Sequence, residues 1–378
     1  MLPSPAALSA RRLRKTLSPL VIDAVKRSDA DRYRKHFPAF AHVWMLLLHT
    51  MSANESLRQS HAHQQADASL RARLGMPEWI SYSQLARSSA SRPSACFENL
   101  LEGVRRKALN TPLIVSDAPL GSLGTKLAVL DSTFFSLSRK VCPWSEHKGY
   151  APGVRLQTEL DLCRTIPTNL GLTLSKVSDR TALKEWDLSS LGGWTLIFDL
   201  GYYAHAHFER LLGEGVSFVT RLQSQARYEV LASEPSSPGQ RTPEGDTVLS
   251  EEKITLGSPN NRTGAVLENM RLVTSETRKG ELHRLITDRH DLLASEVVVR
   301  LYRKRWQIEL FFRWLKRQLG ALRVLGVSRE AVWLTILLAA IVAVVAMLVE
   351  AARPKGVTRV SWLRALWCAL FSQLRLSG

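Results

Sequence analysis

Apolar and polar positions divide this chain into stretches of different period. From about residue 19 to 104 they recur at helical spacing. Residues 41–48 (AHVWMLLL) form an apolar helix, and 80–87 (ISYSQLAR) and 97–104 (FENLLEGV) two more, separated by the Ser-rich run SSASRPSA. Short helices with a turn between them and a basic face fit a small DNA-binding domain, and equally a plain bundle that packs on the rest. Beyond a loop at 116–124 the period changes to that of strands: 126–137 (KLAVLDSTFFSL), 154–162 (VRLQTELDL) and 170–177 (LGLTLSKV). A short helix at 178–187, a buried strand at 194–200 (WTLIFDL), a helix at 204–212 and a strand at 216–222 follow. Three strands, then helix, strand, helix, strand predict a mixed α/β sheet flanked by helices.

Residues 223–288 break this rhythm. Two turn-dense runs, PSSPGQRTPEGD and LGSPNNRTG, punctuate short apolar segments, which reads as a β-rich insertion. A long helix is expected over 295–319, then an uncharged stretch at 331–349 (AVWLTILLAAIVAVVAMLV), then an amphipathic helical tail at 358–376. The expected division is a helical N-terminal domain at 1–112, a catalytic domain in two parts at 113–222 and 291–352, the insertion at 223–290 and the tail at 353–378. The stretch at 331–349 is long enough to span a bilayer, since about 20 apolar residues suffice. The competing reading is a helix buried in a large core, which is preferred here because nothing else in the chain resembles a span.

Composition sharpens the choice of partner. Lys and Arg total 51 against 34 acids, a net charge of +17. Such an excess points to a polyanion, because basic contacts to phosphate release condensed counterions. An anionic membrane surface would satisfy the same charge. Four scattered cysteines, with no CxxC pair, argue against a disulfide framework or a zinc site and fit a reducing compartment. No secretory signal is read at the start of the chain.

Three acids stand out. Asp131 lies inside LAVLDSTFF and Asp199 ends the strand WTLIFD. A carboxylate in such a strand is costly unless it is paired or holds a cation. Taken singly, each is also explained as a strand-end cap or an ion-pair partner. Glu309 lies in LYRKRWQIELFFRWLKRQLG. At about 100° per residue, Tyr302, Arg305, Glu309 and Lys316 fall within roughly 60° on one helix face. A solvated face of ion pairs accounts for the charges but poorly for Tyr302. Three converging carboxylates suit two Mg²⁺ ions, which take oxygen ligands. Two metals about 4 Å apart stabilise the entering and leaving oxygens of a displacement at phosphorus. Arg305 and Lys316 would neutralise substrate phosphates. His205 and His207 are read as surface residues of a helix.

These residues resemble a known family. The motifs VLDSTFFSL, IFDLGYYAHAHFERLLGEGVSFVTRL and LYRKRWQIELFFRWLKRQLG are similar to those of DDE transposases of insertion-sequence family four. The last carries that family's Tyr-x2-Arg-x3-Glu-x6-Lys signature, filled by Tyr302, Arg305, Glu309 and Lys316. A looser likeness runs through SLRQS and ISYSQLARSSASRPSACFENLLEG. The resemblance implies a ribonuclease-H-like catalytic domain with Asp131, Asp199 and Glu309 as catalytic and metal-binding residues. It implies Mg²⁺ in two sites, with Mn²⁺ as a substitute, and double-stranded DNA as partner, at terminal inverted repeats and at the target. It further implies cut-and-paste transposition, a homodimer on paired ends, a prokaryotic, cytoplasmic, nucleoid-associated protein and no membrane. The apolar helix would pack inside the catalytic domain. One departure is that family members often carry a basic residue and then His in the second strand, where this chain has Arg155 and then Gln157.

The expected function is thus metal-dependent strand cleavage and transfer at transposon ends. Tyr302, Arg305 and Lys316 would grip the DNA backbone. Trp306 would stack on an unpaired base, or else pack as an ordinary helix aromatic. A structure-selective nuclease that cuts without joining, a decayed element that only binds DNA, and a single-span membrane protein are the alternatives.

Overall fold

The computed structural model describes residues 5–32, 36–52, 56–110, 126–140, 142–234, 240–258, 266–290, 294–318, 324–350 and 352–358, and 361–362, 365–366 and 368–370 of the tail. The loop expected at 116–124 and much of the tail lie outside the described residues. Two compact units result, one of residues 1–113, 137–146 and 312–378, the other of 114–136 and 147–311.

The first unit is helical. It holds α1 (Pro5–Arg27), α2 (Ala39–Ser52), α3 (Leu57–Gln65), α4 (Ala68–Arg73), α5 (Tyr82–Ser91) and α6 (Ala95–Leu109). Ser56 and Gln59 close a capping box at the start of α3, which explains why SLRQS begins a helix. The apolar stretch of the sequence is α11 (Arg329–Glu350), long and apolar enough to cross a membrane, yet 83% of its most apolar window is buried. A helix apolar all round needs neighbours all round. It finds them in α6, α2 and α5 of the same unit, and Trp333 Nε1 donates to Glu98 of α6 at 2.8 Å. The expectation that this helix packs within the catalytic domain is therefore corrected. Its partners are the N-terminal helices.

The second unit is built on one nine-stranded sheet. Its strands are β1 (Lys126–Ser136), β2 (Gly153–Asp161), β3 (Ile166–Leu174), β4 (Trp194–Ile197), β5 (Ser217–Arg221), β6 (Tyr228–Glu234), β7 (Thr247–Leu256), β8 (Leu267–Glu276) and β9 (Leu282–Thr287), in the order β3-β2-β1-β4-β5-β9-β8-β7-β6. Strands β1–β3 form an antiparallel meander, while β1, β4 and β5 run parallel. The parallel connections carry α7 (Asp179–Lys184) and α8 (His205–Gly213). Their apolar faces cover alternate residues of the sheet. Ala128, Leu130, Leu196, Phe198 and Phe218 share one core with Leu183, Trp186 and Phe208. The Phe208 and Phe218 rings stack at 4.6 Å.

The segment at 223–290 is β-rich as expected, but it does not stand apart from the sheet. Strand β9 pairs with β5 antiparallel, so β6–β9 prolong the same sheet. The long helix expected at 295–319 is also corrected. It is α9 (Ser295–Arg303) and α10 (Trp306–Gln318), with Lys304 and Arg305 in the break. There Lys304 N bonds Leu301 O at 3.0 Å and Arg305 N bonds Tyr302 O at 3.0 Å, tightening the turn.

Candidate active site

The register of the sheet brings the first two acids together. Val129 pairs with Ile197 across the parallel strands β1 and β4. Asp131 and Asp199 follow two residues after that pair, on the alternation opposite Leu130 and Phe198, and the charge of Asp199 acts on Asp131. Asp199 lies just beyond β4, as the cap of a one-turn 3-10 helix at Leu200–Tyr202, and its Oδ1 accepts from Gly201 N at 2.8 Å. A Cβ on Gly201 would come within 2.9 Å of that oxygen, so a larger residue there would push the Asp199 carboxylate aside.

Asp131 is 15% exposed in its side chain. Burial pushes its carboxyl up to about 7, and the neighbouring Asp199 and Asp179 push the same way. The Ser132 N–H and Arg305 oppose the shift without cancelling it. The centre is thus short of positive charge even with an arginine present.

Arg305 is that arginine. From the break between α9 and α10 its Nη1 reaches Asp131 Oδ2 at 3.2 Å and its Nη2 reaches Glu309 Oε1 at 2.6 Å. One guanidinium therefore joins the strand acid to the helix acid. Tyr302 is buried at the end of α9, and burial raises its phenol above the ordinary value. Lys316 is exposed in the last turn of α10, seven residues beyond Glu309 on the same helix. The helix is broken at Arg305, so the four signature residues do not lie on one continuous helical face. Trp306 is 50% exposed. His207 is buried, contrary to the surface reading, with Nδ1 on Tyr202 O at 3.1 Å, whereas His205 is half-buried.

Sequence reasoning missed a second layer behind the acids. Ser132 faces away from Asp131, and its Oγ donates to Asp179 Oδ1 at 2.6 Å. Gln157 Nε2 donates to the same oxygen at 3.0 Å, and Tyr202 donates its hydroxyl to Gln157 Oε1 at 2.7 Å. Arg155 lies 3.8 Å from Asp179. Gln157, at the place where the resemblance leads one to expect His, thus uses a donor and an acceptor at once. A neutral imidazole offers the same pair. Asp179 was hidden because the pair Ser178–Asp179 reads as an ordinary helix start, and Ser178 does cap α7.

The donor set is all oxygen, which suits a hard divalent cation. The shortage of positive charge at Asp131 fits such an ion. Among the described residues, however, no three metal-ligating side chains stand close enough together to hold one as they are. Glu309 is turned to Arg305 instead.

Comparison with known proteins agrees on one family. A family model described as the transposase DDE domain matches residues 122–345. The protein y4zB of Sinorhizobium fredii, which bears a transposase name, is 30% identical over 234 residues, 61% of this chain and 62% of that one. A protein of Geobacillus stearothermophilus named as a transposase for insertion sequence element IS5377 is 23% identical over 207 residues, 55% of this chain and 52% of that one. The chain thus matches between half and two thirds of the length of these relatives. Among solved structures, the cryo-EM structure of a piggyBac transposase synaptic complex with hairpin DNA aligns at a TM-score of 0.43 and 11% identity, over 100% of this chain and 75% of that one.

Proposed function

The chain belongs to the transposase DDE-domain family, and on that premise we propose that it is a DNA transposase with Asp131, Asp199 and Glu309 as its acidic centre. The observation that carries this reading is a pair of acids just past the parallel pairing of β1 and β4, one of them buried and raised to about 7 with the charge of the other contributing. Such a pair has little structural use. A phosphoryl-transfer site, by contrast, needs such a pair.

The proposed reaction is metal-dependent strand cleavage and strand transfer at terminal inverted repeats, as in cut-and-paste elements of insertion-sequence family four, on a ribonuclease-H-like sheet. Asp131, Asp199 and Glu309 would hold two Mg²⁺ ions, or Mn²⁺ in their place. When bound, these supply Lewis-acid stabilisation to the entering and leaving oxygens of an in-line displacement. Arg305 exchanges its carboxylate partners for a phosphate of the transposon end, a planar fork suited to either. Tyr302 and Lys316 hold adjacent backbone, and the half-exposed Trp306 stacks on an unpaired base. The partner is double-stranded DNA, the assembly on paired ends is a homodimer, and the setting is the prokaryotic nucleoid. The excess of 51 basic over 34 acidic residues supports a polyanionic partner.

The test is cleavage and joining of inverted-repeat duplexes with Mg²⁺. Asp131→Ala and Glu309→Gln are expected to abolish both steps. Cleavage at the wild-type rate by either variant defeats the assignment, and cleavage by the wild type with no joined product defeats strand transfer.

A further inference from the structure

Asp131 and Asp199 sit on separate elements, a strand and the turn after another strand, and their oxygens must keep a fixed spacing to share a ligand. Backbone pairing between β1 and β4 ends at Val129 and Ile197, before either acid is reached. Something else must set the spacing beyond that point.

We infer that Asp179 is the positioning residue of the acid centre, tying the strand of Asp131 to the turn of Asp199 from the opposite face of the sheet. The inference rests on the reading that those two acids bind metal. The tie is a chain of hydrogen bonds. Ser132, next to Asp131, donates to Asp179 Oδ1 at 2.6 Å, and Gln157 donates to the same atom at 3.0 Å. Gln157 accepts at 2.7 Å from Tyr202, which closes the turn that Asp199 caps. One carboxylate oxygen thus collects donors from β1 and β2, and through Gln157 it reaches the turn after β4.

Three features make this more than a surface ion pair. Gln157 and Tyr202 are each 1% exposed, so an unmade bond in the chain would leave a buried polar group unsatisfied. Burial holds the Tyr202 phenol well above its ordinary value, so it stays a donor. The other oxygen of Asp179 also lies near the turn. A Cβ on Gly201 would meet Asp179 Oδ2 at 3.2 Å and Asp199 Oδ1 at 2.9 Å. Arg155, 3.8 Å from Asp179 and 3.3 Å from Ser132 Oγ, balances its charge without replacing the directional bonds.

The experiment is Mn²⁺ binding to the full chain without DNA, read by electron paramagnetic resonance of the free ion, with thermal unfolding measured in parallel. Removing a group that orients metal ligands typically weakens metal binding roughly tenfold or more. Asp179→Asn should do this while the unfolding midpoint stays near that of the wild type. Gln157→His, which keeps one donor and one acceptor, should bind like the wild type, and Gln157→Glu, which loses the donor and adds a like charge, should match Asp179→Asn. If Asp179→Asn fails to fold, the two Gln157 variants decide. Asp179→Asn binding Mn²⁺ like the wild type, while Asp131→Asn does not, overturns the positioning role and leaves the acid centre standing. Equal binding by Gln157→His and Gln157→Glu also overturns it. Wild-type binding by Asp131→Asn defeats the acid-centre reading itself, a distinguishable result.

Discussion

The two halves of the sheet solve different problems. In β1–β5 the parallel strands β4 and β5 are short and largely buried, and Asp131 of the longer β1 carries a charge its surroundings resist. In β6–β9 the strands are antiparallel and partly solvated, with Val230, Leu231, Leu249 and Leu282 exposed, and several charges are matched by ion pairs. Arg303 of α9 makes two bonds to Asp246, at 2.8 and 2.7 Å. Arg300 lies 3.4 Å from Glu244, and Glu251 is paired by Arg271 and bonded by Ser295. The second half thus clamps α9, which carries Tyr302 in its last turn and leads straight to Arg305. One half stores unmet electrostatic demand and the other spends matched charges on holding a helix in place. What sets the two apart is that Asp131 stays raised to about 7 although Arg305 pairs it.

Asp131→Asn and Glu309→Gln press hardest on that contrast. Each should cut strand cleavage by about 10³-fold or more, the scale on which removing a charge-stabilising group acts. A rate loss as large from Arg303→Ala would erase the distinction between the halves. The next effect is on stability against pH. The folded-state value of about 7 for Asp131 exceeds the ordinary 3.8, so the folded protein holds this proton more tightly than the unfolded chain does. Its contribution is therefore fully present below about 3.8 and is lost as pH rises to 7, a change on the order of 4 kcal/mol. Denaturant unfolding of the metal-free wild type and of Asp131→Asn should diverge over that window, with the variant the more stable at pH 8. Parallel curves would show that Arg305 already satisfies the acid.

A smaller loss is expected from Arg303→Ala. It strands a buried Asp246, but Arg303 is 48% exposed and the Arg278 N–H still donates to Asp246 at 3.3 Å. About 1–3 kcal/mol of unfolding free energy is expected to go, well short of the loss for a fully buried pair. No measurable loss would show that the clamp is ornamental. The smallest stability effect belongs to Trp306→Ala, within about 0.5 kcal/mol, because the ring is half-exposed at a helix start. Fluorescence titration with a frayed inverted-repeat duplex should show weaker binding for that variant. Equal binding would remove Trp306 from the DNA interface.

Much of this was legible in the chain. Alternation located β1, β2, β4 and β5 within a few residues. The strand acids Asp131 and Asp199 were visible because carboxylates are rare at such apolar positions. Glu309 was visible through the spacing of Tyr302, Arg305 and Lys316. The break at Lys304–Arg305 was not, because no proline or glycine marks it and every residue there is a sound helix former. The placement of His207 was missed for a related reason. Its neighbours His205 and Ala206 read as a polar surface, and only the fold presses it against the carbonyl of Tyr202.

The chain by itself determined most of its elements and its family, since local periodicity and motif spacing are properties of neighbouring residues. The tertiary structure decided what touches what. It joined β9 to β5 and so made the expected insertion part of the main sheet. It gave the apolar helix to α2, α5 and α6, and it turned Glu309 and Asp131 onto one guanidinium, 174 residues apart in the latter pair. It also set Asp179 behind the site, through bonds that span 47 residues to Ser132 and 22 to Gln157. Such contacts depend on register and packing summed over the whole sheet, and no local pattern encodes them.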